Sequence, residues 1–281
     1  MTTAKTILFL HPSAELYGAD RTLLQLVEGL DAERWKAVVL LPRRGVLAGQ
    51  LERLGALIEV GELGLGERAS LDLSGILKLA YRVPLGALRV WRSIRRHRPS
   101  VVHTNTMVVL GGAIGARLSG VPHLWHVHEI LEQPLWLARV YARLFSALAE
   151  RVICNSEATR ESFCRFSTHL TRNSDVVMNA VAAAPDLSDD VREATRKRLG
   201  LSPGQSLVLL AGRVNSWKGQ TLLVQAAAQL RQRFPDTKYL IVGSAPAGQE
   251  HFEEALDEQI EQLGMESQVI RMAFCPDLSE I

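Results

Sequence analysis

Two cations flank a short polar turn in the segment LLAGRVNSWKGQTLL, which spans residues 209–223. Arg213 follows an apolar run that ends in a glycine, and Lys218 precedes a segment with helical periodicity. A P-loop needs Gly-x-x-x-x-Gly-Lys followed by Ser or Thr, whereas the lysine here is followed by Gly-Gln, so a nucleoside triphosphatase is excluded on spacing. The pair fits either another kind of phosphate site or a solvated surface turn, and we favour the phosphate site.

A second polar group follows the run HLWHV, where His126, His128 and Glu129 emerge at the end of a predicted strand. On a strand, His126 and His128 project to the same face, and paired histidines of this kind also occur in metal sites. No third and fourth ligand stand at a recognisable spacing, so we favour a hydrogen-bonded polar site, or a histidine whose hydrogen bonds are satisfied in the core, over a metal site. A metal-dependent hydrolase that uses His126 and His128 is the alternative.

Other polar residues and one glycine stand in comparable positions. Asn105 follows the run VVH, Asn155 ends the run RVICN, and Gly18 lies in the loop HPSAELYGADR just before a predicted helix. In open parallel sheets, ligands bind beyond the carboxyl ends of the strands, where loops and helix N-termini meet. We therefore expect these residues to border a ligand cleft, with an ordinary glycine turn as the alternative for Gly18.

Short runs rich in Ile, Val and Leu recur along the chain, and each is followed by a segment of helical period. This alternation predicts βαβ units and mainly parallel sheets covered on both faces. The first set of predicted strands covers residues 6–10, 36–41, 57–60, 100–103, 123–127, 151–155 and 175–179. After a linker-like stretch at 179–190, a second set covers 206–211, 238–242 and 268–274. We expect Pro84 to divide the helical stretch 71–98.

The bulk composition restricts the function classes. The chain has 281 residues, of which 47% are apolar, which is enough for two α/β domains. The net charge of +2 gives no general attraction to nucleic acid. Three cysteines without CxxC spacing indicate a reduced compartment, and no apolar stretch reaches the length of a membrane span or a signal-peptide core. These features predict a cytoplasmic protein.

A dense basic cluster, RSIRRHR, ends the helical stretch before the fourth predicted strand. Together with Leu88 and Trp91 it occupies residues 88–98. The cluster is either the solvated last turn of a helix or a contact with anionic lipid. The second interpretation predicts peripheral contact with the inner face of a membrane.

The chain resembles the family 4 retaining glycosyltransferases of the GT-B fold. The motifs that carry the resemblance occur in the family's order: SAELYGADRTLLQLVEGL, VVHTNTMVVLGGAIGARLSGVPHLWHVHE, VICNSEATRESF, VVMNAVA and LLAGRVNSWKGQTLLVQAAAQL. The resemblance implies α/β GT-B architecture with two Rossmann-like domains, an acceptor-side domain over 1–182 and an incomplete nucleotide-sugar domain over 183–281. The family's paired-glutamate motif of the second domain would follow Ile281, so we expect a fragment that lacks part of the donor site.

The same resemblance implies an activity. A hexosyl group would move from a nucleotide diphosphate sugar to a hydroxyl acceptor with retention of configuration, in glycan, polysaccharide or glycolipid biosynthesis, and no metal or other cofactor would be required. Arg213 and Lys218 would hold the donor diphosphate together with Gly18, and they would stabilise the negative charge that develops on the leaving phosphate. His128 and Glu129 match the family's His-Asp/Glu position near the transferred sugar.

The remaining matches concern the cleft and the acceptor. By resemblance, Asn105, Asn155 and Asn179 line the cleft, and Tyr17 stands where many members carry the first of two glycines. The implied partners are therefore a nucleotide sugar and a hydroxyl-bearing acceptor. One possible acceptor is a lipid-linked saccharide. A glycan-binding protein of the same fold without donor chemistry is the alternative outside enzymology.

Overall fold

A computed structural model describes residues 4–66, 73–180, 186–246 and 248–275. The chain forms two compact units, Met1–Val181 and Ala182–Ile281. The predicted domain boundary between residues 182 and 183 falls within 181–185, outside the described residues. In the part of the chain that is described, no helix is both long and apolar enough to cross a membrane.

The first unit is built on a seven-stranded parallel sheet with the strand order β3-β2-β1-β4-β5-β6-β7. The strands are β1 (Lys5–Leu10), β2 (Trp35–Leu41), β3 (Leu57–Val60), β4 (Val101–Thr104), β5 (His123–Val127), β6 (Arg151–Cys154) and β7 (Ser174–Val176). The helices are α1 (Gly18–Glu28), α2 (Val46–Arg53), α3 (Leu73–His97), α4 (Leu110–Ser119), α5 (Leu135–Leu148), α6 (Glu157–Cys164) and α7 (Thr168–Asn173). This alternation confirms the predicted α/β class.

Alternating side chains of β1 show how both faces of the sheet are covered. Leu8 and Leu10 pack into a core with Val90 of α3, whereas Phe9 packs on the other face with Leu23 of α1 and Leu47 of α2. Successive side chains of a strand point to opposite faces, so a strand buried on both sides reads as a continuous apolar run. Each fully buried Leu or Phe contributes about 1.5–3 kcal/mol of transfer free energy.

The helix α3 runs without a break through Pro84, so the predicted division was wrong. Proline removes the hydrogen bond to the carbonyl of Ala80, but Ala80 is exposed and water can hydrate that carbonyl. Two residues later, a Cβ on Gly86 would lie 2.4 Å from the carbonyl carbon of Leu63, and one on Gly111 of α4 would lie 2.5 Å from the Leu63 oxygen. This close packing holds the helix in place around the proline.

The second unit contains a three-stranded parallel sheet of order β10-β9-β8. Its strands are β8 (Ser206–Ala211), β9 (Thr237–Val242) and β10 (Val269–Met272), and its helices are α8 (Asp189–Arg198), α9 (Gln220–Leu230) and α10 (His251–Gln262). The core joins Val224 of α9, Ile241 of β9 and Leu256 of α10. By contrast, β8 lies at the edge of the sheet, and its Val208 and Leu209 are 40% and 45% exposed.

Candidate functional site

Polar residues meet where four neighbouring strands of the first sheet end. His11 follows β1, Asn105 lies just beyond β4, His128 follows β5 and Asn155 follows β6. These strands are adjacent and parallel in the order β1-β4-β5-β6, so their carboxyl ends lie side by side. His11 and Asn105 are fully buried. The sequence therefore brings three of the predicted site residues, together with His11, to one edge of the sheet.

A chain of hydrogen bonds connects the side chains at this edge. Nε2 of His128 lies 2.9 Å from Oδ1 of Asn105. Nδ2 of Asn105 lies 3.2 Å from Nδ1 of His11 and donates to the carbonyl of Ala19 at 3.0 Å. Nε2 of His11 lies 2.6 Å from Oδ1 of Asp20. The four side chains thus form one continuous path from β5 to the start of α1.

Asp20 fixes the first turn of α1. Its second oxygen accepts a hydrogen bond from the Tyr17 N–H at 2.7 Å, and the carboxylate lies in the positively polarised first turn of the helix. Burial by itself would raise the pKa of Asp20, but the hydrogen bonds from His11 and Tyr17 outweigh it and hold the pKa below its ordinary value. A Cβ on Gly18 would meet nothing within 4 Å, so packing inside the chain does not explain the glycine there.

His128 is neutral at physiological pH. Burial is the main cause that lowers its pKa to about 4. Asn155 donates to the backbone carbonyl of His128 at 3.2 Å, and a Glu129 oxygen accepts from the His128 N–H at 3.2 Å. Desolvation by its surroundings raises the pKa of the Glu129 carboxyl even though the residue as a whole is exposed to solvent.

Three imidazole rings lie next to one another, tilted, at the ends of β4 and β5. The ring centroids of His103 and His126 are 5.5 Å apart, and those of His126 and His128 are 4.2 Å apart. Burial lowers the pKa of both His103 and His126 to about 3. Among residues 4–66, 73–180, 186–246 and 248–275, no three His, Cys, Asp or Glu side chains are grouped as metal ligands. The metal-dependent hydrolase therefore gains no support from this cluster.

The other predicted cleft residues differ in their surroundings. Oδ1 of Asn155 accepts a hydrogen bond from Oγ1 of Thr159 at 2.8 Å, while Ser156 caps α6 by accepting from the Thr159 N–H at 3.1 Å. Tyr17 is the N-cap residue of α1. Asn179 is exposed, lies beyond the end of β7, and has no hydrogen bond to the other site residues that the structure describes. The structure thus joins Asn155 to His128 but does not bring Asn179 to the same network.

In the second unit, Arg213 and Lys218 lie on a short loop between β8 and α9. Oδ1 of the buried Asn215 accepts hydrogen bonds from the N–H groups of Trp217 at 3.2 Å and Lys218 at 3.0 Å. Nε2 of Gln220 donates to the Arg213 carbonyl at 3.0 Å. Arg213 is half-buried and Lys218 is exposed. These bonds give the loop a defined backbone without any ligand, as an Asx turn does.

Glycines shape the two ends of this loop. A Cβ on Gly243, at the end of β9, would lie 2.0 Å from the Gly212 oxygen, so a side chain there would force the two backbones apart. Gly219 caps α9 with a φ of 83°, a left-handed conformation that favours glycine, and no side chain caps the helix. The first N–H groups of α9 are therefore not occupied by a side-chain cap, and Arg213 and Lys218 lie close to them in sequence, an arrangement that suits an anion.

The sequence patterns did not single out His11, Asp20, Asn215 or Gln220. One signal for His11 was available, because it follows a buried strand directly, as His128 does. Asn215 lies inside the segment that drew attention to the two cations, and asparagine is a frequent turn residue. Nothing in the spacing indicated Asp20 as a partner of His11.

Comparison with known proteins agrees with this architecture. Residues 17–182 match the model for Glycosyltransferase Family 4, and residues 191–281 match that for Glycosyl transferases group 1. The crystal structure of Anabaena HepE in complex with UDP-glucose superposes with a TM-score of 0.79 and 25% identity, covering 98% of this chain and 70% of that one.

Curated relatives match over shorter stretches. The GDP-mannose-dependent alpha-(1-6)-phosphatidylinositol monomannoside mannosyltransferase of Mycolicibacterium smegmatis is 32% identical over 151 residues, which are 52% of this chain and 36% of that protein. The D-inositol 3-phosphate glycosyltransferase of Jonesia denitrificans is 36% identical over 73 residues, 25% of this chain and 17% of that protein. Over five curated relatives, the matches span between 17% and 60% of the relative's length. The chain belongs to glycosyltransferase family 4, and its fold is that of the GT-B glycosyltransferases.

Proposed function

We propose that the protein transfers a hexosyl group from a nucleotide diphosphate sugar to a hydroxyl acceptor with retention of configuration. Arg213 and Lys218 hold the diphosphate, and Gly18 is the third diphosphate-binding residue. His128 and Glu129 contact the transferred sugar. Tyr17, Asn105, Asn155 and Asn179 belong to the cleft or acceptor side. The support is family membership, the UDP-glucose bound by HepE, and the GDP-mannose dependence in the name of the mycobacterial relative.

The observation that carries the proposal is the preformed loop of Arg213 and Lys218. Breaking the bond between sugar and phosphate moves negative charge onto the departing diphosphate, and fixed cations stabilise that charge most in the transition state. Asn215 orders the loop in advance, so little reorganisation is needed when the donor binds. No carboxylate of the described residues forms an ion pair with Lys218. We propose that Arg213 and Lys218 supply the positive charge that a metal ion supplies in other enzymes, and that EDTA leaves donor binding unchanged.

Calorimetry with UDP, GDP and their sugars tests this assignment. We expect Arg213→Ala and Lys218→Ala each to weaken diphosphate binding by at least tenfold and, in the transfer reaction, to lower the rate by about 10²–10³. Arg233→Ala is the matched control, because this exposed arginine follows the opposite end of α9. Equal affinities for the wild type and both alanine variants would refute the diphosphate roles.

We also propose that α3 lies against an anionic lipid surface and that the acceptor is lipid-linked. Exposed side chains recur along this helix at intervals of three and four positions, so they form one stripe. The stripe consists of Leu77, Tyr81, Leu85, Leu88, Arg92 and Arg95. It is apolar at first and basic in its last turns, which suits the boundary between acyl chains and anionic headgroups.

Glu59 forms ion pairs with some of the basic residues and so reduces the number of cations that can contact lipid. This buried carboxylate accepts from Arg89 at 3.4 Å, Arg96 at 3.3 Å and His97 at 2.9 Å. Burial would raise the pKa of Glu59, but these partners, His97 first, lower it below its ordinary value. The exposed cations that remain for a lipid surface are Arg92, Arg95 and Arg98.

Vesicle flotation tests the lipid contact. The protein should float with phosphatidylglycerol vesicles and not with phosphatidylcholine vesicles. Arg92→Glu combined with Arg95→Glu should reduce the association by at least about 30-fold, since each cation near such a surface is worth about 1 kcal/mol. Arg231→Glu with Arg233→Glu makes the same charge change in the second unit and should have little effect. Equal flotation of the two double variants would refute the contact.

A further inference from the structure

One main-chain carbonyl fixes the direction of the hydrogen bonds between His128 and Asp20. The Ala19 oxygen lies 3.0 Å from Nδ2 of Asn105, and a carbonyl oxygen only accepts, so the atom that faces it must be the amide nitrogen. The other end of the amide, Oδ1, is therefore the atom 2.9 Å from His128 Nε2. Because Oδ1 is an acceptor, Nε2 of His128 has to carry a proton.

The second hydrogen of the same amide determines the state of His11. Nδ2 of Asn105 lies 3.2 Å from Nδ1 of His11, so Nδ1 must offer a lone pair. The proton of His11 is then on Nε2, from which it is donated to Asp20 at 2.6 Å. Each donor in this series of hydrogen bonds faces an acceptor, and the direction of donation runs from His128 through Asn105 and His11 to Asp20.

We infer that Asp20, His11 and Asn105 are positioning residues that hold His128 as the neutral imidazole protonated on Nε2. The only ring atom left for a ligand is Nδ1, a lone pair that accepts a hydrogen bond and cannot donate one. His128 therefore recognises a hydroxyl group and not a phosphate oxygen, which would be repelled. This inference rests on the proposed function and deepens it.

The surroundings of the ring agree with this state. Nδ1 of His128 is buried and has no hydrogen-bond partner among the described residues, so a hydroxyl reaches it only after neighbouring groups shift. The ring of His126, 4.2 Å away, is itself neutral because burial lowers its pKa to about 3. Glu129 is the other titratable neighbour, and its carboxylate bonds to the His128 backbone and not to the ring. Among the described residues, the amide of Asn105 is thus the one hydrogen-bond partner of the His128 ring.

Two-bond ¹H–¹⁵N correlation spectra of the histidine rings in the full chain test the inference directly. The His128 signals are assigned by their loss in His128→Gln. We expect a protonated Nε2 and a bare Nδ1 from about pH 6 to about pH 8. In Asn105→Ala the ring should sample both tautomers, because the acceptor that holds the proton on Nε2 is gone.

Asn155→Ala is the matched control, since it also removes an asparagine hydrogen bond to His128, but at the backbone carbonyl. This variant should keep the wild-type tautomer. A wild-type His128 that carries its proton on Nδ1 or is charged at neutral pH would overturn the inference, and that measurement needs no variant to fold. An unchanged tautomer in a folded Asn105→Ala would do the same.

Transfer assays keep the two proposals separate. If the spectra are as expected but no sugar is transferred from any nucleotide sugar by the protein, the proposed function fails and the tautomer stands. If transfer occurs and Asn105→Ala lowers kcat without changing the tautomer, the inference fails and the function stands. To identify which hydroxyl is bound, deoxy donor sugars are compared with deoxy acceptors. With the correct deoxy substrate, His128→Gln should transfer sugar as fast as the wild type does. The hydroxyl missing from that substrate is the one from which His128 accepts a hydrogen bond.

Discussion

Mild acid should destabilise the first unit because its sheet buries neutral histidines. His103, His123 and His126 are 6%, 3% and 3% exposed. Burial lowers the pKa of His103 and His126 to about 3 and that of His123 to about 4, from an ordinary value of 6.5. Below pH 6.5 these imidazoles therefore bind protons in the unfolded chain but stay unprotonated in the folded chain. A depressed folded-state pKa contributes stability at higher pH, and this stability is lost as the pH falls.

The size of the loss follows from the linkage relation. Between pH 7 and pH 5, each of these imidazoles lowers the free energy of unfolding by about 2 kcal/mol. His128, whose pKa is also lowered to about 4, adds about the same, so the four together lower it by about 8 kcal/mol. A whole domain is stable by only about 5–15 kcal/mol. Carboxylates with lowered pKa, such as Asp20 and Glu59, add to the loss only below about pH 4.5. Glu129, whose pKa is raised, acts in the opposite direction.

Urea unfolding at pH 7, 6 and 5, followed by tryptophan fluorescence, measures this effect. Trp125 is fully buried and packs against His123 and Phe145 with ring centroids 5.1 Å and 4.7 Å away, so its emission reports on the core of the first unit. The urea midpoint should fall with pH, and the slope of free energy against pH should approach four protons near pH 5.

A variant separates this cause from general acid lability. His103→Phe keeps a ring against Phe9, whose centroid is 5.1 Å away, and removes one buried proton acceptor. The loss between pH 7 and pH 5 should shrink by about 2 kcal/mol. His169→Phe, at an exposed position in α7, should leave the slope unchanged. A total loss below about 2 kcal/mol, or equal slopes for the two variants, would refute the reasoning.

Three further outcomes follow from single residues. Gly18→Ala and Gly49→Ala both add a Cβ with nothing within 4 Å, so each should leave stability unchanged or raise it by up to about 1 kcal/mol, but only Gly18→Ala should weaken donor binding in calorimetry. Asn215→Ala should cost about 2 kcal/mol of stability and about tenfold in diphosphate affinity; if thermal melting and calorimetry show neither, the loop is not ordered by this side chain. Glu59→Gln should lower stability by about 2 kcal/mol in urea titrations, because it leaves its cations without their shared carboxylate, whereas an unchanged midpoint would show that the cluster adds nothing.

The strands were predictable because buried parallel strands leave continuous apolar runs in the sequence. All seven strands of the first sheet and all three of the second appear within a few residues of their predicted positions. The predicted break at Pro84 was wrong because the helix propensity of proline takes no account of tertiary contacts. The close packing of Gly86 and Gly111 supports α3 around the proline. The start of α8 at Asp189 likewise lies inside the stretch expected to be a linker.

The candidate site was predictable only where a residue directly follows a strand. His128, Asn105 and Asn155 could be placed at one edge because parallel strands end together. The bond between His11 and Asn105 joins residues 94 positions apart, and no periodicity encodes such a pairing. The tautomer of His128 depends on that bond, so it emerges only from the folded chain.

The exposed edge of β8 has a practical consequence for handling the protein. In the described part of the chain no strand pairs with the outer edge of β8, and on the two faces of this strand Val208 and Leu209 are 40% and 45% exposed. Such an edge is a template for another copy, and a two-fold axis would pair two β8 strands antiparallel. Concentrated solutions of a polypeptide limited to residues 1–281 should therefore contain dimers or aggregates, which light scattering over a dilution series would reveal. A lysine introduced at Leu209 should keep the preparation monodisperse.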